Sequence, residues 1–382
     1  MARYVTNTRL LEPSRAARVG VVVVIGAAWA APSGAADGPT LTPSAMVQVW
    51  ATAYDMDVDP QADPGGYGDP EAETGISIQR ARVALDAETD QVLMRVEVGS
   101  SAPYDTWFDE NAPSPSIDIQ DAWVAWAPTM ASGSFRLFAG SVRVPLFREE
   151  LISSRSLTFQ ERGVAATHLS PGRELGVMLD EQLDMGLRIR AGAFNGGGDF
   201  FGDSDDGLAG VLRLEWAKGD TYRTWSPDRD VAFGIAAAGL FEQEIATRTV
   251  GGQADMLLRA GGFCLLAEGG LFRLAPTAGV TADLPDVFEG TGRFGLTGQM
   301  SYTIGLPDGG LEIAGRYSRY DDATGIQDNG DVGIVHGGLV WHDLSSAVDL
   351  GAGYILRMEH GGQSFANDTV RAWVQVRTLN PQ

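Results

Sequence analysis

The sequence predicts an all-β fold, a transmembrane antiparallel β-barrel of about sixteen strands. Three observations carry that prediction. Period-two alternation recurs along the chain, long and short connections take turns between the alternating segments, and no segment after the N-terminal region is long and apolar enough for a membrane helix.

The alternation is plain in several places. Val92, Met94, Val96 and Val98 interleave with Arg95 and Glu97, and Leu187, Ile189, Ala191 and Ala193 with Arg188, Arg190 and Gly192. Phe294, Leu296, Met300 and Tyr302 face away from Arg293, Thr297, Gln299 and Ser301; Val370, Ala372, Val374 and Val376 face away from Arg371, Gln375 and Arg377. Segments of about ten residues suit a tilted strand that crosses a bilayer. Sixteen such segments begin near residues 45, 75, 91, 117, 133, 173, 185, 207, 230, 252, 263, 293, 310, 330, 347 and 369. An even count is what a single-chain bacterial barrel requires.

The connections test this independently. Odd ones, at 55–74, 101–116, 145–172, 195–206, 243–251, 274–292, 321–329 and 359–368, are long. Even ones, such as 86–90, 128–132, 180–184, 305–309 and 343–346, are short, with 218–229 the main exception. A soluble β-sandwich, the rival reading, has no physical reason to keep that rhythm.

At the N-terminus Arg3, Arg9, Arg15 and Arg18 precede the apolar run 19–31 and the small residues Gly34, Ala35 and Ala36. That is the layout of a secretory signal, expected to span 1–36 and leave a barrel over 37–382. Its removal leaves 24 basic residues against 49 acidic ones. So acidic a chain argues against nucleic-acid binding. The one cysteine, Cys264, rules out an internal disulfide.

A membrane barrel places apolar side chains toward lipid and polar ones toward its interior. By parity the interior receives Arg80, Arg82, Arg95, Arg188, Arg190, Arg213, Arg293, Arg316, Arg357, Arg371 and Arg377, with fewer acids, mainly Glu97, Asp121, Glu215, Glu312 and Asp349. The inner wall is therefore expected to be net basic, with arginines that either attract anions or pair with acids across strands. Trp50, Trp123, Trp126, Trp216, Tyr302, Trp341 and Tyr354 are candidates for interfacial girdles.

The third long connection, 145–172, is too apolar to lie in water and is expected to fold inward as a constriction loop carrying Arg148, Glu149, Ser153, Ser154 and Arg162. A helix-like piece in it would present Arg148, Arg155 and Arg162 along one face at seven-residue spacing.

In this region the chain resembles the phosphate-selective porin O and P family of Gram-negative outer membranes. The resemblance is carried in order by Gln79-Arg80-Ala81-Arg82, Gly140-Ser141-Val142-Arg143-Val144-Pro145-Leu146-Phe147, Ser153-Ser154, Glu161-Arg162, Pro171-Gly172-Arg173-Glu174-Leu175-Gly176 and Gly192-Ala193-Phe194-Asn195-Gly196. It is dense over about residues 75–200 and architectural beyond them. It implies a trimeric sixteen-stranded channel in contact with outer-membrane lipid, an inward third loop, and small anionic or hydrophilic solutes attracted by Arg80, Arg82, Arg143, Arg155, Arg188 and Arg190. Arg143 stands where the family commonly has lysine, and Lys218 is the only lysine in the chain. A non-selective porin and a plugged structural or adhesive barrel are the alternatives.

Other signals point to no cofactor and no catalytic site. Asp55, Asp57, Asp59 and Asp63 lack the glycine and glutamate of a calcium loop, and the four histidines lack zinc spacing. No nucleophile elbow or phosphate loop is present, and Gly202-Asp203-Ser204 reads as a polar loop.

Overall fold

The computed structural model describes residues 38–54, 75–101, 117–128, 130, 133–196, 207–226, 230–244, 247–277, 290–327, 330–343, 345, 347–361 and 368–378. The expected signal segment, the Asp55–Asp63 acids and Gly202-Asp203-Ser204 lie outside the described residues. The barrel occupies the unit Pro39–Gln382.

Sixteen antiparallel strands close on themselves: β1 (Thr40–Tyr54), β2 (Gly75–Glu88), β3 (Val92–Ser101), β4 (Asp118–Trp126), β5 (Ser134–Arg143), β6 (Arg173–Gln182), β7 (Leu187–Phe194), β8 (Leu208–Lys218), β9 (Ala232–Gln243), β10 (Thr247–Ala260), β11 (Phe263–Pro276), β12 (Thr291–Leu306), β13 (Gly309–Asp321), β14 (Val332–Asp343), β15 (Val348–Glu359) and β16 (Thr369–Arg377). Each strand pairs with its sequence neighbours, and β1 joins β16 from Met46↔Arg377 to Tyr54↔Thr369. Among the described residues, the first of β1, before Ala45, extend past β16 and pair with β2 alone, as in Pro43↔Leu85. Two short helices, α1 (Arg148–Leu151) and α2 (Val164–Leu169), lie in the β5–β6 connection.

Connections at the two ends of the barrel differ as expected, with one correction. The strand ends flanking the long connections 144–172, 277–290 and 360–368 lie at one end; 89–91, 183–186, 261–262 and 307–308 are tight turns at the other. The β9–β10 connection, expected long at 243–251, covers only 244–246, because Thr247, Thr249 and Val250 are strand formers that extend β10. At the short-turn end the β8–β9 connection, 219–231, remains the exception.

Burial alternates along the strands in the inverted sense of a membrane barrel. Val83, Met94, Val96, Leu212, Leu214, Ile235, Met300, Ile313 and Leu339 are exposed, whereas Gln48, Glu97, Asp121, Arg213, Asp255, Gln299, Glu312 and Arg371 are buried. An exposed belt of that apolarity on a closed sheet is the surface that hydrocarbon wets. Outward aromatics at the short-turn end include Trp126, which meets Phe135 edge-on at 6.1 Å, and Trp216, which meets Phe233 at 5.7 Å. Tyr302 is exposed at the same end. Trp50 and Trp123 do not join this girdle: Trp50 is buried on the face it shares with Gln48, and Trp123 packs edge-on against buried Phe138 at 5.1 Å.

An arginine on the outer belt tests the inversion. Leu214→Arg, mid-way along β8, is expected to destabilise the folded protein in lipid vesicles by about 2–4 kcal/mol, read from denaturant titration.

Candidate functional site

The connection 144–172 carries a dense apolar set. Val144, Leu146, Phe147, Ile152, Leu157, Phe159, Val164, Ala165, Ala166 and Leu169 are all buried. A polar lumen could not accept them, and the inward faces of several strands are accordingly not polar throughout. Val144, Leu146, Phe147 and the α2 residues share a cluster with Phe194, Val211, Leu240 and Phe272. Ile152 and Leu157 join Leu257 and Leu266. Phe159 enters an aromatic pocket of Trp50 and Trp373, stacked on His336 at 3.8 Å. Gly295 makes room for α2: a Cβ there would stand 2.7 Å from Leu169 and 2.9 Å from Ala165.

Polar contacts then tie the loop to strands all round the barrel. Arg148, fully buried, bonds Asp255 of β10 at 2.7 Å and Glu215 of β8 at 2.9 Å. Arg213 bonds the same Asp255 at 2.6 Å and donates to the Leu146 carbonyl at 2.8 Å. Across the barrel, Gln48 donates to the Ser154 carbonyl at 3.3 Å, Trp50 to the Gln160 side chain at 3.1 Å, and Arg80 to the Gln160 carbonyl at 2.6 Å. Glu161 accepts from Arg371 at 2.7 Å, with Arg316 and His336 close by. Burial disfavours its charge, yet Arg371, His336 and Arg316 together hold the Glu161 carboxyl well below the usual range. The segment is thus bonded to β8 and β10 on one side of the ring and to β1, β2 and β16 on another.

This path departs from the expected helical face. Residues 152–163 are not helical, and Gln160 takes a positive φ of 61°. Arg148 therefore meets β8 and β10, Arg155 lies 3.5 Å from Glu97 of β3, and Arg162 pairs within the loop with Glu150 at 2.9 Å. The bonds to separate walls outweigh the modest propensity of a short helix.

Of the other expected residues, Arg143 donates to the carbonyls of Glu150, Leu151 and Ile152, closing the C-terminal end of α1. Glu149 accepts from the Gly163 N–H at 2.6 Å, and its own N–H donates to Glu268. Ser153 Oγ accepts the Arg155 N–H, and Ser154 Oγ accepts from Arg82. Arg188 forms a two-pronged pair with Asp180 at 2.6 and 2.5 Å; Arg190 stands 3.4 Å from the same carboxylate and donates to Tyr222 Oη. Arg80 and Arg143 thus hold loop backbone, whereas Arg155, Arg188 and Arg190 face acids.

The interior holds more acid than the sequence pattern indicates. Glu174, Asp180, Asp255 and Glu268 are buried beside the acids already expected, and Arg173 bonds Asp121 at 2.7 Å. Asp255 and Glu268 escaped because Gly251-Gly252 and Gly269-Gly270 interrupt the alternation on either side of them. Among the described residues Asp321, Asp322 and Asp331 bring carboxylate oxygens within 4.8 Å of one another at the long-loop end.

No family model and no curated protein matches the chain. Solved structures do. OmpT of Vibrio cholerae, described as an outer membrane protein in trimer form, superposes with a TM-score of 0.57 at 10% identity, covering 90% of this chain and 100% of that one. The outer membrane channel DcaP of Acinetobacter baumannii gives 0.58 at 13%, covering 89% and 98%. An anion-selective porin from Comamonas acidovorans gives 0.56 at 14%, covering 89% and 100%. At these identities the likeness is one of fold: this chain has the fold of a Gram-negative outer-membrane porin.

The shared carboxylate is the point of greatest leverage. Asp255→Ala would leave Arg148 and Arg213 buried without their common partner, a loss of about 3–5 kcal/mol. Guanidinium unfolding in detergent, with protease cleavage within 148–162 as a second readout, checks it.

Proposed function

We propose that the chain is a passive outer-membrane porin for small hydrophilic solutes, with a preference for anions set on one side of its interior. The observation that carries this is the relative exposure of paired charges. Arg95 is 20% exposed and its partner Glu97 4%; Arg173 is 17% and Asp121 8%; Arg188 is 20% and Asp180 6%. Arg155 and Arg162 follow the same order against Glu97 and Glu150. Asp86, 32% exposed at 2.9 Å from Arg95, is an exception; at the other pairs named, a diffusing ion on the β3–β7 side meets guanidinium groups first, with neutralising carboxylates recessed behind them. Because Coulomb energy falls with distance and with solvent screening, the nearer charge dominates. Arginine keeps that charge at any physiological pH.

The order inverts on the opposite wall, where Glu161 is 14% exposed and Arg316 3%. The track is therefore asymmetric across the interior, and an anion is drawn to the β3–β7 side. Arg95 and Arg173 join Arg155, Arg162 and Arg188 as the charges a solute encounters. Arg80 and Arg143 act one step removed, by holding the loop. The resemblance to the O and P porins suggests phosphate or another oxyanion as solute, and trimeric assembly follows the same resemblance and the trimer of OmpT.

A second reading, a barrel plugged by its third loop, is favoured by the burial of so many inward side chains. Deleting 151–159 separates the two: an open porin gains conductance from a measurable start, a plugged barrel from none.

Planar-bilayer reversal potentials in a potassium chloride gradient test the main reading. The wild type is expected to pass chloride over potassium, and the combined variant Arg95→Gln, Arg173→Gln, Arg188→Gln to shift the reversal potential toward potassium. Potassium selectivity in the unaltered protein overturns the anion preference.

A further inference from the structure

By the strand bounds, the β8–β9 connection, 219–231, is longer than the other connections at the short-turn end. The other short-turn connections, including 89–91, 183–186, 261–262 and 307–308, simply reverse the chain. Reversal of β8 into β9 needs two to five residues. What the extra residues do is visible in Gly219–Ser226. Thr221, Thr224 and Ser226 are buried, although a turn beyond the barrel rim would lie in water.

The segment reaches strands far from its own. Trp225 stacks on His342 of β14, ring centres 4.2 Å apart and planes 11° from parallel. His342 is itself held between Asp349 of β15 at 2.8 Å and Glu312 of β13 at 2.9 Å. In a sixteen-stranded ring, β14 lies five strands from β9, so Trp225 reaches it across the interior. Arg259 of β10 anchors the base of the segment, donating to the Arg223 carbonyl at 2.8 Å and the Asp220 carbonyl at 3.1 Å.

The segment also meets the third loop, which enters from the other end. Thr224 Oγ1 donates to the Ser156 carbonyl at 2.8 Å, Thr158 Oγ1 donates to Thr224 Oγ1 at 3.0 Å, and Arg148 donates to the Thr221 carbonyl at 3.2 Å. Tyr222 hydrogen-bonds Glu215, and the guanidinium carbons of Arg190, Arg188 and Arg148 lie 4.9, 5.6 and 5.7 Å from its ring centre. Two of those arginines belong to the strand β7, so Tyr222 forms the inner rim facing the arginine track.

We propose that the β8–β9 connection is a second constriction element, docked from the short-turn end against the tip of the third loop. The two segments form one shared barrier, and the width of the passage beside Arg188 and Arg190 is set by both. The third loop alone would leave the short-turn half of the interior wider; the Trp225–His342 contact narrows it. In its conductance readout the inference rests on the porin reading, and in its crosslinking readout it does not.

The test uses the full-length protein with Cys264→Ala. Thr158→Cys with Thr224→Cys is expected to form an intramolecular disulfide on mild oxidation, seen as a reducible mobility shift. In planar bilayers Trp225→Ala is expected to raise single-channel conductance several-fold over the wild type, with the anion preference weakened. A conducting wild type whose conductance is unchanged by Trp225→Ala overturns the second constriction. Failure of the cysteine pair to crosslink overturns the docking. If wild type and the 151–159 deletion are both silent, the porin reading falls, and the crosslink still decides whether the segment is docked. If Trp225→Ala does not insert, His342→Ala, which removes the other half of the stack, is read in its place.

Discussion

Hydrocarbon offers a peptide group no hydrogen-bond partner, so a sheet that crosses a membrane must have no free edge within it. That constraint organises everything else in this protein. Sixteen strands satisfy their N–H and C=O groups laterally, and the ring is completed where β1 meets β16 over Met46–Tyr54. Closure assigns each side chain to lipid or to the interior, and the apolar set goes outward. It also encloses a space too wide for wall side chains alone to fill.

The third loop meets the wall on both chemical terms. Its apolar residues find inward apolar patches, Phe194 and Phe272 for Phe147 and its neighbours, Trp50 and Trp373 for Phe159. Its charges find buried partners, most tightly where Arg148 and Arg213 share Asp255. Burial of those ions is tolerable only because each is closely paired and hydrogen-bonded. Heavily buried pairs fix the loop to β8 and β10, while in pairs such as Arg188–Asp180 on the β3–β7 side the arginine stays partly exposed.

Strands were readable wherever side chains alternate, since a period of two needs nothing beyond neighbouring residues. β3, β7, β12 and β16 begin within a few residues of expectation for that reason. Where Gly-Gly pairs interrupt the pattern, in β10 and β11, the inward acids Asp255 and Glu268 went unseen. The arginines of the third loop were legible as residues of the interior but not as contacts. Spacing suggests one helical face, whereas partners on separate walls pull Arg148, Arg155 and Arg162 apart. Trp50 and Trp373 show the same limit: an aromatic on the inward parity discloses its role only when the loop residue that it receives is known.

The overhang at the start of β1 has its own implication. Among the described residues, that strand before Ala45 has β2 on one side and no partner strand on the other, so its outer edge is a row of groups onto which a foreign chain could add itself. Pro43 stands in that stretch without an N–H to offer, and Ala45 gives its N–H to Thr378 Oγ1 at 2.9 Å. A proline and a hydroxyl thus blunt this corner of the ring, and the seam discourages strand addition from neighbouring molecules.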